Sequence, residues 1–203
     1  MIGIMDFGAA GNIASVANAF GRAGADARVV RRLEGETDFS GLVIPGVGSF
    51  SVVPKIISAL GGRRSISKIG VPVLCICLGM QALFSRSEEC RGAMGLGIIP
   101  GNVKKLRGEA RLPQLGWNRV EQKREDELFE GIASGEYFYF ANSFAAFPDE
   151  QGSVLAETRY GQPFASAVKK GNWYGVQFHP EKSGQAGKRL IANFTGICRR
   201  WKK

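Results

Sequence analysis

Cys77 and His179 are the residues whose types and surroundings could do covalent chemistry. Cys77 ends the apolar run Pro72-Val73-Leu74-Cys75-Ile76 and is followed by Leu78-Gly79, after which Met80 to Arg86 reads as a helix. A strand, a sharp turn and a helix in that order make an elbow that exposes a nucleophile. At a helix N-terminus the backbone N–H groups and the dipole favour negative charge, so a thiolate is expected there. Such a cysteine needs a base, and the chain has 1 histidine, His179, in Gln177-Phe178-His179-Pro180-Glu181. Any Cys-His pair must use it, and Glu181 is placed to orient the imidazole. The two partners lie about a hundred residues apart, so they would have to meet in the fold.

The elements around them must supply that meeting. Ile2 to Phe7, Ala27 to Val30, Gly41 to Ile44 and Val71 to Cys77 read as buried strands. Between them fall a helix capped by Asn12, carrying Ile13, Val16, Ala17 and Phe20 at helical spacing, and a second helix over Val53 to Leu60. This alternation predicts an α/β domain with a central, mostly parallel sheet flanked by helices. After Glu89 the pattern shortens. Val103 to Leu106, Arg119 to Glu121, Tyr137 to Ala141, Val154 to Glu157, Phe164 to Val168 and Trp173 to Phe178 read as strands, several of them antiparallel, forming a smaller second sheet. Gln185 to Trp201 reads as a closing helix. Ligands collect at the carboxyl ends of parallel strands, so the loop Pro45-Gly46-Val47-Gly48 should face the same crevice as Cys77.

Composition narrows the classes. With 203 residues and 44% hydrophobic content, one globular domain spanning 1–203 is expected. The net charge of +9 is dispersed over small clusters such as Arg31-Arg32, Arg63-Arg64 and Arg199-Arg200, none interleaved with stacking aromatics. A solvated basic surface accounts for it better than nucleic-acid binding does. No leader or membrane-length apolar run is visible, and the 4 cysteines include Cys75 and Cys77, which are expected to point to opposite faces. A reduced, cytoplasmic protein is expected, with no metal site and no cofactor. Gly184-Gln185-Ala186-Gly187-Lys188 is too short for a phosphate loop.

Cys77-Leu78-Gly79-Met80-Gln81 and His179-Pro180-Glu181 resemble the nucleophile and His-Glu motifs of the class I, triad-type glutamine amidotransferase family. Asp6-Phe7-Gly8, Gly11-Asn12, Pro45-Gly46-Val47-Gly48 and Gly116-Trp117-Asn118 are similar to those of its imidazole glycerol phosphate synthase branch. The resemblance runs from Asp6 to Phe194. It implies hydrolysis of glutamine by Cys77, His179 and Glu181, with ammonia passed to a separate cyclase subunit in a heterodimer serving histidine biosynthesis. Oxyanion donors would come from Leu78 and the Gly46-Val47 segment. Gly48, Gln81, Glu89 and Ser143 would meet the substrate, and Asn12, Trp117, Tyr139 and Lys182 would face the cyclase. Without the resemblance, Gln81 and Glu89 read as surface residues of a helix. The chain departs from the family pattern at Cys75, where glycine is usual, at Ala9-Ala10, which adds a residue, at Gln114, where histidine is frequent, and over Ala141-Asn142-Ser143-Phe144, which usually reads with histidine and tyrosine. The same fold could also serve another synthase, such as that of pyridoxal phosphate, or act as a docking subunit.

Overall fold

The computed structural model describes residues 1–8, 13–33, 39–109 and 111–201. The expected cap Asn12 and the added Ala9-Ala10 lie outside the described residues. Ile2–Met5 (β1), Gly41–Ile44 (β3) and Val73–Ile76 (β4) are buried at every position, as continuous apolar runs in a parallel sheet must be. Ala27–Val30 (β2) is the exception, partly exposed because it is the sheet's edge. Ile13–Arg22 (α1) buries Val16, Ala19 and Phe20. Val53–Ala59 (α2) begins with proline in its first turn, where the missing N–H costs nothing. A further turn of helix, Arg63–Ile66 (α3), follows Gly61 and Gly62.

Leu78–Ala82 (α4) starts directly at the elbow and ends sooner than the expected Arg86. Arg86–Ser87 (β5) is instead drawn into a parallel bridge with Gly101–Lys105 (β6). The remaining strands are Gln114–Gln122 (β7), Glu136–Asn142 (β8), Phe144–Pro148 (β9), Val154–Tyr160 (β10), Gln162–Lys170 (β11) and Trp173–Val176 (β12), and Gly184–Arg200 (α5) closes the chain.

Among the described residues the main strand order is β2-β1-β3-β4-β12-β11-β10-β7-β8, with β5, β6 and β9 joined at the side. Pairing is parallel from β2 through β12 and antiparallel from β12 onward. The antiparallel part therefore continues the parallel sheet. Helices α1 and α5 cover one face, sharing a core with Ile76 and Cys77. Helices α2, α3 and α4 cover the other, with Cys75 in their core. The two thiols do lie on opposite sides, but not by strand alternation, which would put residues two apart on one face: the turn at Cys77 carries its side chain into the core of Ile76, while Cys75 is fully buried in the other core. Burial pushes its thiol well above the ordinary range, which keeps it protonated and inert.

Register brings the two candidate residues together. Strand β12 lies beside β4 with Val176 opposite Ile76, so the chain leaving β12 passes the chain leaving β4. The Cys77 N–H donates to Val176 O at 2.7 Å, and three residues later comes His179. Gly175 makes room for α4: a Cβ there would sit 2.8 Å from Met80 Cγ.

Candidate active site

Cys77 caps α4 with φ 53° and ψ −108°. Among the described residues it is the one non-glycine with positive φ. Such a conformation costs on the order of 1–3 kcal/mol and persists only where neighbours enforce it. Here the enforcement is visible on both sides. Val176 holds the Cys77 N–H, and the Cys77 carbonyl accepts the Gln81 N–H at 3.1 Å. Helix α4 can approach β3 this closely because Gly79 has no Cβ, which would run into the Ile44 carbonyl oxygen.

His179 follows a backbone bond of its own, its N–H donating to Tyr139 O at 2.8 Å. Its Nδ1 pairs with Glu181 Oε1 at 2.8 Å, and both side chains are almost completely buried. A donating Nδ1–H leaves Nε2 for the thiol side. Burial lowers the imidazole pKa, but hydrogen bonds with Cys77 and Glu181, reinforced by their charge, outweigh it and raise the pKa from 6.5 to about 10. An imidazolium therefore persists at neutral pH, held between sulfur and carboxylate.

A cleft of about 310 Å³ opens on this pair. Val47, Gly48, Leu78, Gln81, Glu89, Ser143 and Lys182 line it together with Cys77 and His179. Gly46 sits just behind, where a Cβ would be 2.8 Å from both Gly79 N and Leu78 Cβ. Its carbonyl oxygen accepts the Leu78 N–H at 3.4 Å. Gln81 and Glu89 are not surface residues of a helix. Gln81 is 5% exposed, and Glu89 lies in a turn beyond β5 with Oε2 accepting the Phe50 N–H at 2.7 Å.

Trp117 and Tyr139 lie outside the cleft, opposite one another on β7 and β8 and in an edge-to-face contact with centroids 6.3 Å apart. Lys182 joins the two regions, lining the cleft while its Nζ lies 5.7 Å from the Tyr139 ring centroid. Trp117 and Leu115, two positions apart on β7, are 55% and 66% exposed. Gln114 and Asn142 face each other across β7 and β8.

Sequence reasoning missed Gln177 and Asn142. Gln177 is fully buried, its Nε2 donating to Cys77 Sγ at 3.6 Å and its Oε1 accepting from Gln81 Nε2 at 3.0 Å. Asn142 lines the cleft and donates to Phe144 O at 3.0 Å, the same carbonyl that accepts from Gln81 Nε2 at 2.9 Å. The parallel register of β4 and β12 was the available signal for Gln177, since it sets that residue beside Cys77. Among the described residues no cluster of three or more His, Cys, Asp or Glu could hold a metal ion. No helix of the described chain is long and apolar enough to cross a membrane.

The fold and the cleft define a glutamine-hydrolysing class: the chain belongs to the class-I glutamine amidotransferase family, whose model matches residues 4–197. Within it, the chain is 41% identical over 209 aligned positions to the imidazole glycerol phosphate synthase subunit HisH of Bacillus cereus (strain G9842), covering 100% of this chain and 97% of that protein. It is 42% identical to the subunit of the same name from Methanocaldococcus jannaschii, covering 97% and 100%. Among solved structures, a chain of PurLQS from Thermotoga maritima superposes with a TM-score of 0.75 at 17% identity, covering 96% of this chain and 97% of the other, which is a likeness of fold.

Proposed function

We propose that this chain is the glutaminase subunit of an imidazole glycerol phosphate synthase, working in the cytoplasm. In this reading it hydrolyses glutamine and delivers ammonia to a cyclase subunit that makes imidazole glycerol phosphate and AICAR. The observation that carries the reading is Cys77, held at positive φ in one cleft with His179 and its Glu181 partner. Full-length similarity to relatives bearing that subunit name selects the acceptor.

Cys77 attacks the side-chain amide carbon of glutamine as its thiolate, and the carbonyl electrons move onto oxygen. The His179 imidazolium gives its proton to the amide nitrogen, ammonia leaves, and a thioester remains on Cys77. The neutral imidazole then takes a proton from water, whose oxygen attacks the thioester carbon. Collapse of that second intermediate releases glutamate and returns the proton to the Cys-His pair. Glu181 holds the ring in the tautomer both steps need. Gln81 and Glu89 present carboxamide and carboxylate oxygens to the substrate ammonium, with Gly48 and Ser143 flanking the other end.

The oxyanion needs two preorganised N–H donors. Leu78 supplies one once it is released from the Gly46 carbonyl. Val47 supplies the other when the Gly46-Val47 peptide turns over, a motion that the missing Cβ of Gly46 makes less costly. Docking of the cyclase over Trp117, Tyr139 and Lys182 drives that change.

Glutamate release from glutamine, measured for the chain alone and then with a histidine-pathway cyclase subunit and its ribulotide ligand, tests the reading. Strong stimulation in the mixture is expected. No release in either case from folded chain would overturn it.

A further inference from the structure

We infer that Gln177 is a positioning residue for the nucleophile, its side-chain amide donating to Cys77 Sγ while its carbonyl holds Gln81. The inference rests on the glutaminase reading and adds to it a fixed direction for every hydrogen bond behind the thiol.

That direction follows from one backbone group. Phe144 O can only accept, so the Gln81 atom facing it at 2.9 Å is the amide nitrogen. The same nitrogen lies 3.0 Å from Gln177, whose facing atom must then be its oxygen. Gln177 is left with its NH₂ toward Cys77 Sγ, at 3.6 Å. Neither side chain is free to turn, because Gln177 is fully buried and Gln81 is 5% exposed. The backbone adds a second tether: the Gln177 N–H donates to Ser166 O at 2.9 Å, and the preceding residue, Val176, accepts the Cys77 N–H.

A sulfur accepts weakly as a thiol and strongly as a thiolate, so a donor aimed at it favours the ionised form. Gln177 supplies that donor without bringing a charge of its own that would compete with His179. It also couples two functions, since the amide that steadies the thiolate fixes Gln81 with its oxygen left for the substrate.

The test is the pH dependence of Cys77 alkylation by iodoacetamide, with the modified site read by mass spectrometry. Cys77 lines the cleft whereas Cys75 and Cys198 are buried away from it, and a Cys90→Ser background removes the half-exposed thiol. His179 backed by Glu181, and Glu89 and Lys182 in the cleft, are the charged groups that face the sulfur. They are common to every variant, so differences report position 177. Gln177→Met, of similar length and without a donor, should move the alkylation midpoint up by about one pH unit, slowing the reaction about tenfold below it. Gln177→Glu should move it further, because a carboxylate beside the thiolate repels it. Profiles that superimpose on the parent in both folded variants would overturn the inference. An independent readout leaves position 177 intact: in Cys77→Ala the Gln177 side-chain NH₂ resonances should shift and exchange faster, and unchanged resonances would equally overturn it. Alkylation needs neither glutamine nor cyclase. A parent that never releases glutamate therefore defeats the glutaminase reading alone, while normal glutamate release with coincident alkylation profiles defeats only this one.

Discussion

The Leu78 N–H donates to the Gly46 carbonyl oxygen across 3.4 Å, so the backbone donor next to Cys77 is engaged inside the protein. An oxyanion forming on glutamine would meet a carbonyl oxygen at Gly46 where it needs a donor.

The isolated chain should therefore turn glutamine over slowly, and Val47 should govern the stimulated rate. Val47→Pro removes the N–H that the turned peptide would offer. We expect it to dock on the cyclase normally and to lose about 10²–10³-fold of the stimulated glutaminase rate. Steady-state glutamate release with and without partner checks this, and full stimulation in the variant would place the second donor elsewhere.

Cys77→Ser and His179→Ala should lower glutamine-dependent synthesis by about a thousandfold or more. Both should leave the partnered enzyme competent with added ammonium salts, because neither residue takes part after ammonia is made. Product formation is assayed with each nitrogen source in turn. Loss with ammonia as well would mean that the residue's main role is structural.

His179 offers a direct titration, since it is the 1 histidine of the chain and gives unambiguous imidazole resonances. Its pKa is raised to about 10, so the ring should stay protonated through neutral pH and lose its proton only near the alkaline end. Burial lowers that pKa, and Cys77 is one of the two partners that raise it. Cys77→Ala should therefore move the midpoint downward, leaving Glu181 to oppose burial alone. A midpoint unchanged by the substitution would remove Cys77 from the imidazole's hydrogen-bond partners.

Gly79→Ala should be among the costliest single-methyl changes in the molecule, because the new Cβ would run into the Ile44 carbonyl oxygen, a backbone atom that cannot swing aside. We expect a loss of about 2 kcal/mol or more in urea unfolding, together with loss of glutaminase activity as the elbow opens. Gly92→Ala, with open space around its Cβ position but φ +85°, should cost less.

What could be read from the sequence followed the contrast between apolar and polar positions. Strands β1, β3 and β4 are buried on both faces, so their apolar runs stand out, and the helices between them show one apolar face. Strand β7 was read only over Arg119 to Glu121, although it spans Gln114–Gln122, because Leu115 and Trp117 are apolar yet point outward. Strand β9 escaped because Phe144–Pro148 follows β8 after Ser143 alone, and no turn signature separates them. In the site, Cys77, His179 and Glu181 carry their chemistry in their residue types. Gln177 does not: its importance comes from β12 lying beside β4, a pairing between segments about a hundred residues apart.

The outward apolar residues of β7 separate docking from folding. Trp117 is 55% exposed and Leu115 66%, so truncating either removes far less buried area in the free chain than a core substitution would. Trp117→Ala should cost the free chain about 1 kcal/mol, chiefly the lost edge-to-face contact with Tyr139. If this face seats the cyclase, the same indole becomes a buried anchor in the complex. Removing it should then weaken association by about 2 kcal/mol, roughly thirtyfold in Kd by calorimetry. Lys182→Ala, which leaves the rings in place but removes the cation over Tyr139, should weaken docking less while lowering the stimulated rate more, since Lys182 also lines the cleft. Unchanged affinity in Trp117→Ala would move the docking surface off the β7–β8 face.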